Sequence, residues 1–252
     1  MKKRFIGLYF KLISRKYHAS NHTVVKYYMK KNSRNDSLVI VFSAFSRPGI
    51  PATYNYMATT KDIEAVRLFI LDDFGHNKQG GYYLFHEGSN NPEKAVAELI
   101  TKTSVQKNYR QIICVGTSKG GYAAMYFGLK LGADAIISGA PQYFLGKYLT
   151  DIPEKKETFE GMVGKSGIYS VSYLDGILRN KIYEKKGSQT DFYLHFSTKE
   201  HTYNEHIADL IKDLKQQDYR LVLDKQEYVK HQEVAHYFPP FLRESLQKLT
   251  KE

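Results

Sequence analysis

The run Gly116-Thr117-Ser118-Lys119-Gly120-Gly121 places a serine between glycines two residues before and two residues after it. The apolar stretch Ile112-Ile113-Cys114-Val115 leads into it, and Tyr122-Ala123-Ala124 follows. Strand, G-x-S-x-G and helix in this order describe a nucleophile elbow, a sharp turn that presents a serine hydroxyl to an acyl carbon. Such a turn strains the backbone at the serine and brings its flanking residues together, so both must be small. Gly116 and Gly120 meet that demand, and Gly121 lets the next helix start close to the strand. A glycine-rich turn that binds a phosphate is the competing reading. Cys114 is the other nucleophilic type nearby, but it lies inside the apolar strand, where a buried structural thiol is expected.

An elbow needs a sheet behind it. From about residue 38 the chain alternates strand and helix signals. Short apolar runs at Leu38–Phe42, Arg67–Leu71, Gln111–Val115, Asp134–Ile137, Asp191–Phe196 and Arg220–Leu223 read as strands. Helices are expected over Asn91–Lys107, with Pro92 in its first turn, and over Gly120–Leu131, closed by Gly132. Two more are expected over about Tyr203–Gln216 and Phe241–Leu249. Continuous apolar strands separated by helices predict an α/β fold with a mostly parallel central sheet covered on both faces. Residues 145–187 exceed an ordinary connection and read as an insertion, either a surface excursion or a lid over a substrate site. The whole chain, 1–252, is then one domain carrying that lid.

These features resemble the α/β-hydrolase superfamily, over residues from about 38 to 250. The resemblance implies a triad in the chain order Ser, acid, His, with the acid after the strand that follows the lid and the histidine after the last strand. Glu200 is the first carboxylate past Phe192–Phe196, with Asp191 and Glu205 as rivals. Of the nine histidines, only His231 and His236 follow Arg220–Leu223 and precede the last helix. His231 is preferred because it directly follows a polar loop, whereas His236 sits in a short helix beside Tyr237-Phe238. His201 reads as a group near the acid or the substrate, and His195 as a satisfied core histidine. The expected triad is Ser118, Glu200 and His231, the glutamate holding the histidine's tautomer. An oxyanion hole would use the backbone N–H of Lys119 and that of Phe45, or else Ala44.

Two further stretches read as site loops. Asp72-Asp73-Phe74-Gly75-His76 with Gly80-Gly81-Tyr82-Tyr83-Leu84 offers Asp72 to sugar hydroxyls or a cation. Ala140-Pro141-Gln142-Tyr143 opens the lid, and Gln142 and Tyr143 could line the pocket. Together with Gly116–Gly121 and Glu200-His201-Thr202-Tyr203, these strings resemble a narrower bacterial group of α/β-hydrolases linked to surface-glycan and accessory-secretion loci. That resemblance implies an esterase or O-acetyltransferase acting on O-acyl groups of a glycan or glycoprotein. No cofactor is expected, and no metal, because metal-ligand spacings such as H-E-x-x-H do not occur in the sequence. A peptidase or thioesterase, and a non-catalytic module that binds glycan, membrane or protein, are the competing functions.

Composition narrows the partners. The 252 residues carry 37 Lys and Arg against 26 Asp and Glu, a net charge of +11. That favours an anionic glycan or a membrane surface as partner. Nucleic acid is disfavoured, because no zinc-finger or RNA-recognition signature accompanies the charge. The 21 tyrosines suit either sugar stacking or an aromatic core. A single cysteine excludes an internal disulfide. The longest apolar runs fall far short of the roughly 20 residues that span a bilayer. Met1-Lys2-Lys3-Arg4 and the apolar Phe5–Phe10 are too short and too charged for a secretory leader, so they read as an edge strand or a membrane-surface segment. The expected location is the cytoplasm, either free or peripheral at the inner membrane face.

Overall fold

The computed structural model describes residues 9–10, 12–32, 36–46, 52–165, 167–184 and 189–251. The expectations placed on Met1-Lys2-Lys3-Arg4 and Phe5–Leu8 lie outside these residues, as do residues 166 and 185–187 of the stretch read as an insertion.

Eight strands form one sheet: β1 Arg15–His18, β2 Val24–Lys30, β3 Ser37–Phe42, β4 Val66–Ile70, β5 Gln111–Thr117, β6 Ala135–Gly139, β7 Asp191–Ser197 and β8 Leu221–Gln226. Their order is β1-β2-β4-β3-β5-β6-β7-β8. From β4 to β8 every neighbour is parallel, with Leu38 opposite Ile112 and Val115 opposite Ile137. β1 pairs antiparallel with β2, and β2 pairs antiparallel with β4. β3, β4 and β6 are buried at every residue, as strands covered on both faces must be.

Alternation along the strands feeds two cores. Leu38, Ile40, Phe42, Cys114 and Ile136 face one side, where helices α1 (Asn91–Val105) and α2 (Lys119–Leu131) pack through Leu99, Ala123 and Phe127. Val39, Val41, Ile113, Val115 and Ile137 face the other, covered by the last helix through Phe238, Leu242 and Leu246.

The segment between β6 and β7 holds α3 (Leu145–Asp151), a short 3-10 turn (Pro153–Lys155), α4 (Lys156–Val163) and α5 (Val171–Glu184). It has no core of its own. Leu145, Leu149, Met162, Leu174, Leu178 and Ile182 are buried in the cluster that includes α2.

Several boundaries differ from expectation. The hairpin of β1 and β2 was not anticipated. The helix expected from Tyr203 begins as a π turn, Tyr203–Ile207, and becomes α6 at Ala208–Gln216. The last helix, α7, runs unbroken over Val234–Lys251 and contains Pro239 and Pro240, so the expected start at Phe241 is too late. Those prolines lie early in the helix, where the loss of two N–H donors is tolerated because Phe238, Leu242 and Leu246 anchor it. Among the described residues no helix is long and apolar enough to cross a membrane.

Candidate active site

Parallel strands deliver their carboxyl ends to one edge of the sheet, and the candidate residues gather there. β5 ends at Thr117 and α2 starts at Lys119, leaving Ser118 as the single residue of the turn, at φ 51° and ψ −121°. Its N–H donates to the Gly139 carbonyl, 2.8 Å away in the adjacent strand, which fixes the tip. A Cβ on Gly116 would lie 2.1 Å from the Gly120 carbonyl oxygen, and one on Gly120 would lie 2.5 Å from that of Phe42. The turn is closed to any larger residue at either place.

Three side chains from three elements meet at this tip. The Ser118 hydroxyl lies 3.0 Å from His231 Nε2, and His231 Nδ1 lies 2.5 Å from Glu200 Oε1. One tautomer serves both contacts: Nδ1–H donates to the carboxylate while Nε2 accepts the hydroxyl. Glu200 leaves β7 within three residues, and its side chain is shut from solvent, with Oε2 lacking a hydrogen-bond partner. His231 opens a 3-10 turn, His231–Glu233, rather than lying in a free loop. Glu233 accepts the N–H groups of Val229 and Lys230, and the Ser197 hydroxyl donates to the Tyr228 carbonyl. The histidine is therefore held from both β7 and its own turn.

Gln142 is buried and donates from Nε2 to the same Ser118 Oγ at 3.0 Å, while its Oε1 accepts the Tyr82 hydroxyl at 3.2 Å. The sequence placed it on the pocket wall; the structure places it on the serine oxygen. Tyr82, in the Gly80–Leu84 stretch, orients it.

Two expected pocket residues are corrected. Asp72 is buried and ion-pairs with Lys119 Nζ at 2.8 Å, and it also accepts the N–H groups of Gly81 and Tyr83. It has no surface to offer a sugar or a cation. Its neighbour Asp73 pairs with Lys26. Tyr143 is likewise buried, its hydroxyl 2.5 Å from Asp213 Oδ2. Arg179 and Tyr183 of α5 reach the same carboxylate, so Tyr143 helps moor the segment rather than line a pocket.

Both residues of the expected oxyanion hole stand at this end of the sheet. Lys119 is the first residue of α2, where backbone N–H groups have no intrahelical acceptor. Phe45 lines the cleft, whereas the Ala44 N–H donates to Asn55 Oδ1 at 2.9 Å. The cleft above Ser118 measures about 530 Å³ and is bordered by Phe45, Tyr56, Tyr148, Lys155 and His231. Tyr148 and Lys155 come from the inserted segment. No motif or spacing in the sequence singles out Lys155.

Other residues are set apart. His236 is exposed on α7. His201 is exposed and meets Glu205 at 2.9 Å, while Asp191, the other rival acid, pairs with Arg220. His195 is buried, with Nδ1 2.6 Å from Asp224. Burial pushes the Cys114 thiol up to about 12. Among the described residues no group of three His, Cys, Asp or Glu is placed to hold a metal.

No family model matches the sequence, and no curated protein matches it. Solved structures do. The capsule O-acetyltransferase of Neisseria meningitidis serogroup A is similar with a TM-score of 0.75 at 21% identity, over 94% of this chain and 94% of that one. A chain of the glycosylation-associated Gap123 complex from Streptococcus agalactiae gives 0.73 at 18%, over 94% of this chain and 46% of that one. The fluorophosphonate-binding serine hydrolase FphF of Staphylococcus aureus gives 0.67 at 12%, over 95% and 98%. Likeness at these identities is likeness of fold, and it agrees with the elbow, the strand order and the mostly parallel sheet: the chain has the α/β-hydrolase fold.

Proposed function

We propose that the protein is a serine-dependent acyl-ester hydrolase or acyltransferase acting on O-acyl groups of a bacterial glycan or glycoprotein. The observation that carries this is the unbroken hydrogen-bond chain Ser118–His231–Glu200 at a strained elbow. In the first step Ser118 Oγ attacks the ester carbonyl carbon while His231 Nε2 takes the hydroxyl proton. The imidazolium then gives that proton to the departing alcohol or thiol, leaving an acyl-serine. In the second step His231 removes a proton from water or a sugar hydroxyl, which attacks the acyl carbon, and returns it to Ser118 Oγ. Glu200 keeps the ring in register and stabilises the imidazolium. The Lys119 and Phe45 amides receive the oxyanion, and Gln142 donates to Ser118 Oγ. Residues 145–187 act as a cap over the cleft.

The glycan target is supported by the neighbours, one a capsule O-acetyltransferase of which a variant is held in complex with CoA, another a glycosylation-associated complex. The test is labelling with a fluorophosphonate probe, followed by release of acid and transfer to an acylatable glycan from an aryl or thioester donor. Labelling of the native chain but not of Ser118→Ala is expected. A folded chain that neither labels nor turns over any ester would leave only a binding module.

A further inference from the structure

The cleft that opens on Ser118 is electrically one-sided. Among the described residues that line it are one ammonium, Lys155, and one imidazole, His231, but no Asp or Glu. The two acids closest to the chemistry are spent beneath the surface: Glu200 on His231, and Asp72 on Lys119. Lys155 ends the Pro153–Lys155 turn, where its N–H donates to the Ile152 carbonyl at 2.8 Å, so its backbone is fixed at the rim. Its Nζ lies 3.8 Å from the centre of the Phe45 ring, whereas the buried Lys119 Nζ lies 5.0 Å from that same ring. Among the described residues Lys119 pairs with a carboxylate, whereas Lys155 forms no ion pair and rests on the ring. Burial and the Lys119 charge both push the Lys155 ammonium's pKa down, and exposed Glu154 offsets this in part. Ser46 also lines the cleft, and its buried hydroxyl has no hydrogen-bond partner among the described residues.

A cation kept half-buried in a cleft, with only an exposed glutamate to offset it in part, is a desolvation cost unless a ligand supplies the charge. We propose that Lys155 is the anchor of an anion subsite, so that the molecule bound across Ser118 carries a phosphate or carboxylate within reach of the rim. This rests on the acyl-transfer reading above and adds its substrate class: a charged ester rather than a neutral one. The anion can sit on the acyl donor's leaving group or on the acyl side, and the two are separable by experiment.

Phenyl phosphate, an inert probe, should bind the native chain in a calorimetric titration. Binding should weaken about tenfold or more in Lys155→Ala, the size of one lost charge-assisted hydrogen bond, and return in part in Lys155→Arg. Lys156→Ala, whose lysine is exposed one residue along, should bind like the native chain. Aryl esters matched in size would then be compared: neutral, with a carboxylate on the acyl side, and with a phosphate on the leaving group. Lys155→Ala should lower kcat/KM for one charged ester, relative to the neutral one, by about tenfold. The ester affected identifies which side carries the anion. No binding of phenyl phosphate to the native chain, or equal binding by the native chain and Lys155→Ala, overturns the subsite. If no ester is turned over while phenyl phosphate binding still depends on Lys155, the catalytic reading falls and the subsite stands.

Discussion

Ser118 Oγ is contacted by two nitrogens with different duties. His231 Nε2 can take its proton, whereas Gln142 Nε2 can only donate to it, since Gln142's oxygen is committed to Tyr82. Ser118→Ala should therefore lower turnover of a short-chain aryl ester by at least about a thousandfold, and His231→Ala by a similar factor. The double variant should be no worse than either, because the two groups act as one unit; additive losses in steady-state assays would show that they do not. These positions could be read from the sequence because an elbow dictates residue type at Gly116, Ser118 and Gly120, and chain order then narrows the partners. Asp72 and Tyr143 could not, since strand-end spacing does not tell whether a side chain turns towards the cleft or into the core. A signal for Asp72 did exist: Lys119 lies between an apolar strand and an Ala-rich helix, where an ammonium must find a buried counter-ion. His206 supplies a pH prediction of its own. Burial, with Nδ1 accepting the Phe144 N–H and Nε2 unpartnered, pushes its pKa from 6.5 to about 4. The unfolded chain then binds the proton more readily than the folded one. Stability present above about 6.5 is lost as pH falls towards about 4, by about 3 kcal/mol in all. His195, also lowered by burial, acts in the same direction. His206→Asn keeps an acceptor for Phe144 and removes the titration, so its melting temperature should fall less between pH 7 and pH 5 than that of the native chain. An identical fall in both would refute this role.

At the scale of elements, the site is held by what lies under α2. The Lys119–Asp72 pair ties the first turn of that helix to the loop after β4, and Asp72 also gathers the Gly81 and Tyr83 amides. From that loop Tyr82 reaches Gln142, so one buried ion pair connects the elbow to the group that donates to its serine. Lys119→Met should destabilise the fold by about 3–5 kcal/mol, the usual result of leaving one buried charge unpaired. Asp72→Asn in the same chain should restore part of the loss, because the amide oxygen still accepts an N–H. A denaturant midpoint for Lys119→Met equal to the native one would show the pair to be idle. The parallel strands were legible because both faces are buried and their residues are uniformly apolar. β1 and β2 were not, because Arg15, Lys16, His18, Lys26 and Lys30 break any apolar pattern at that edge of the sheet. The start of α7 was obscured by Pro239 and Pro240, which read as a stop although tertiary packing through Phe238 carries the helix past them.

For the whole molecule the governing quantity is the net charge of +11. Part of the positive excess stands on the surface: Lys147, Lys156 and Lys165 of the inserted segment are exposed, as are Lys94, Lys102 and Lys107. The same segment carries exposed Asp151, Glu154, Glu157 and Glu160, so its own field is moderate. Long-range attraction between such a surface and a polyanionic glycan or an anionic vesicle acts through solvent and is screened over about 10 Å at 0.1 M salt. The Lys155 contact proposed at the cleft is short-range and half-buried, and salt weakens it far less. The two kinds of attraction should separate in one titration. Between about 50 and 200 mM salt, sedimentation with anionic vesicles or retention on an anionic polysaccharide should weaken steeply. Over that range kcat/KM for a neutral aryl ester should hardly move, since the proposed triad of Ser118, His231 and Glu200 lies within hydrogen-bond distance. Binding that ignores salt would mean that the surface lysines only keep the protein soluble. Ester turnover that falls in parallel with surface binding would mean that the charge acts on the site itself rather than on its delivery to a charged substrate.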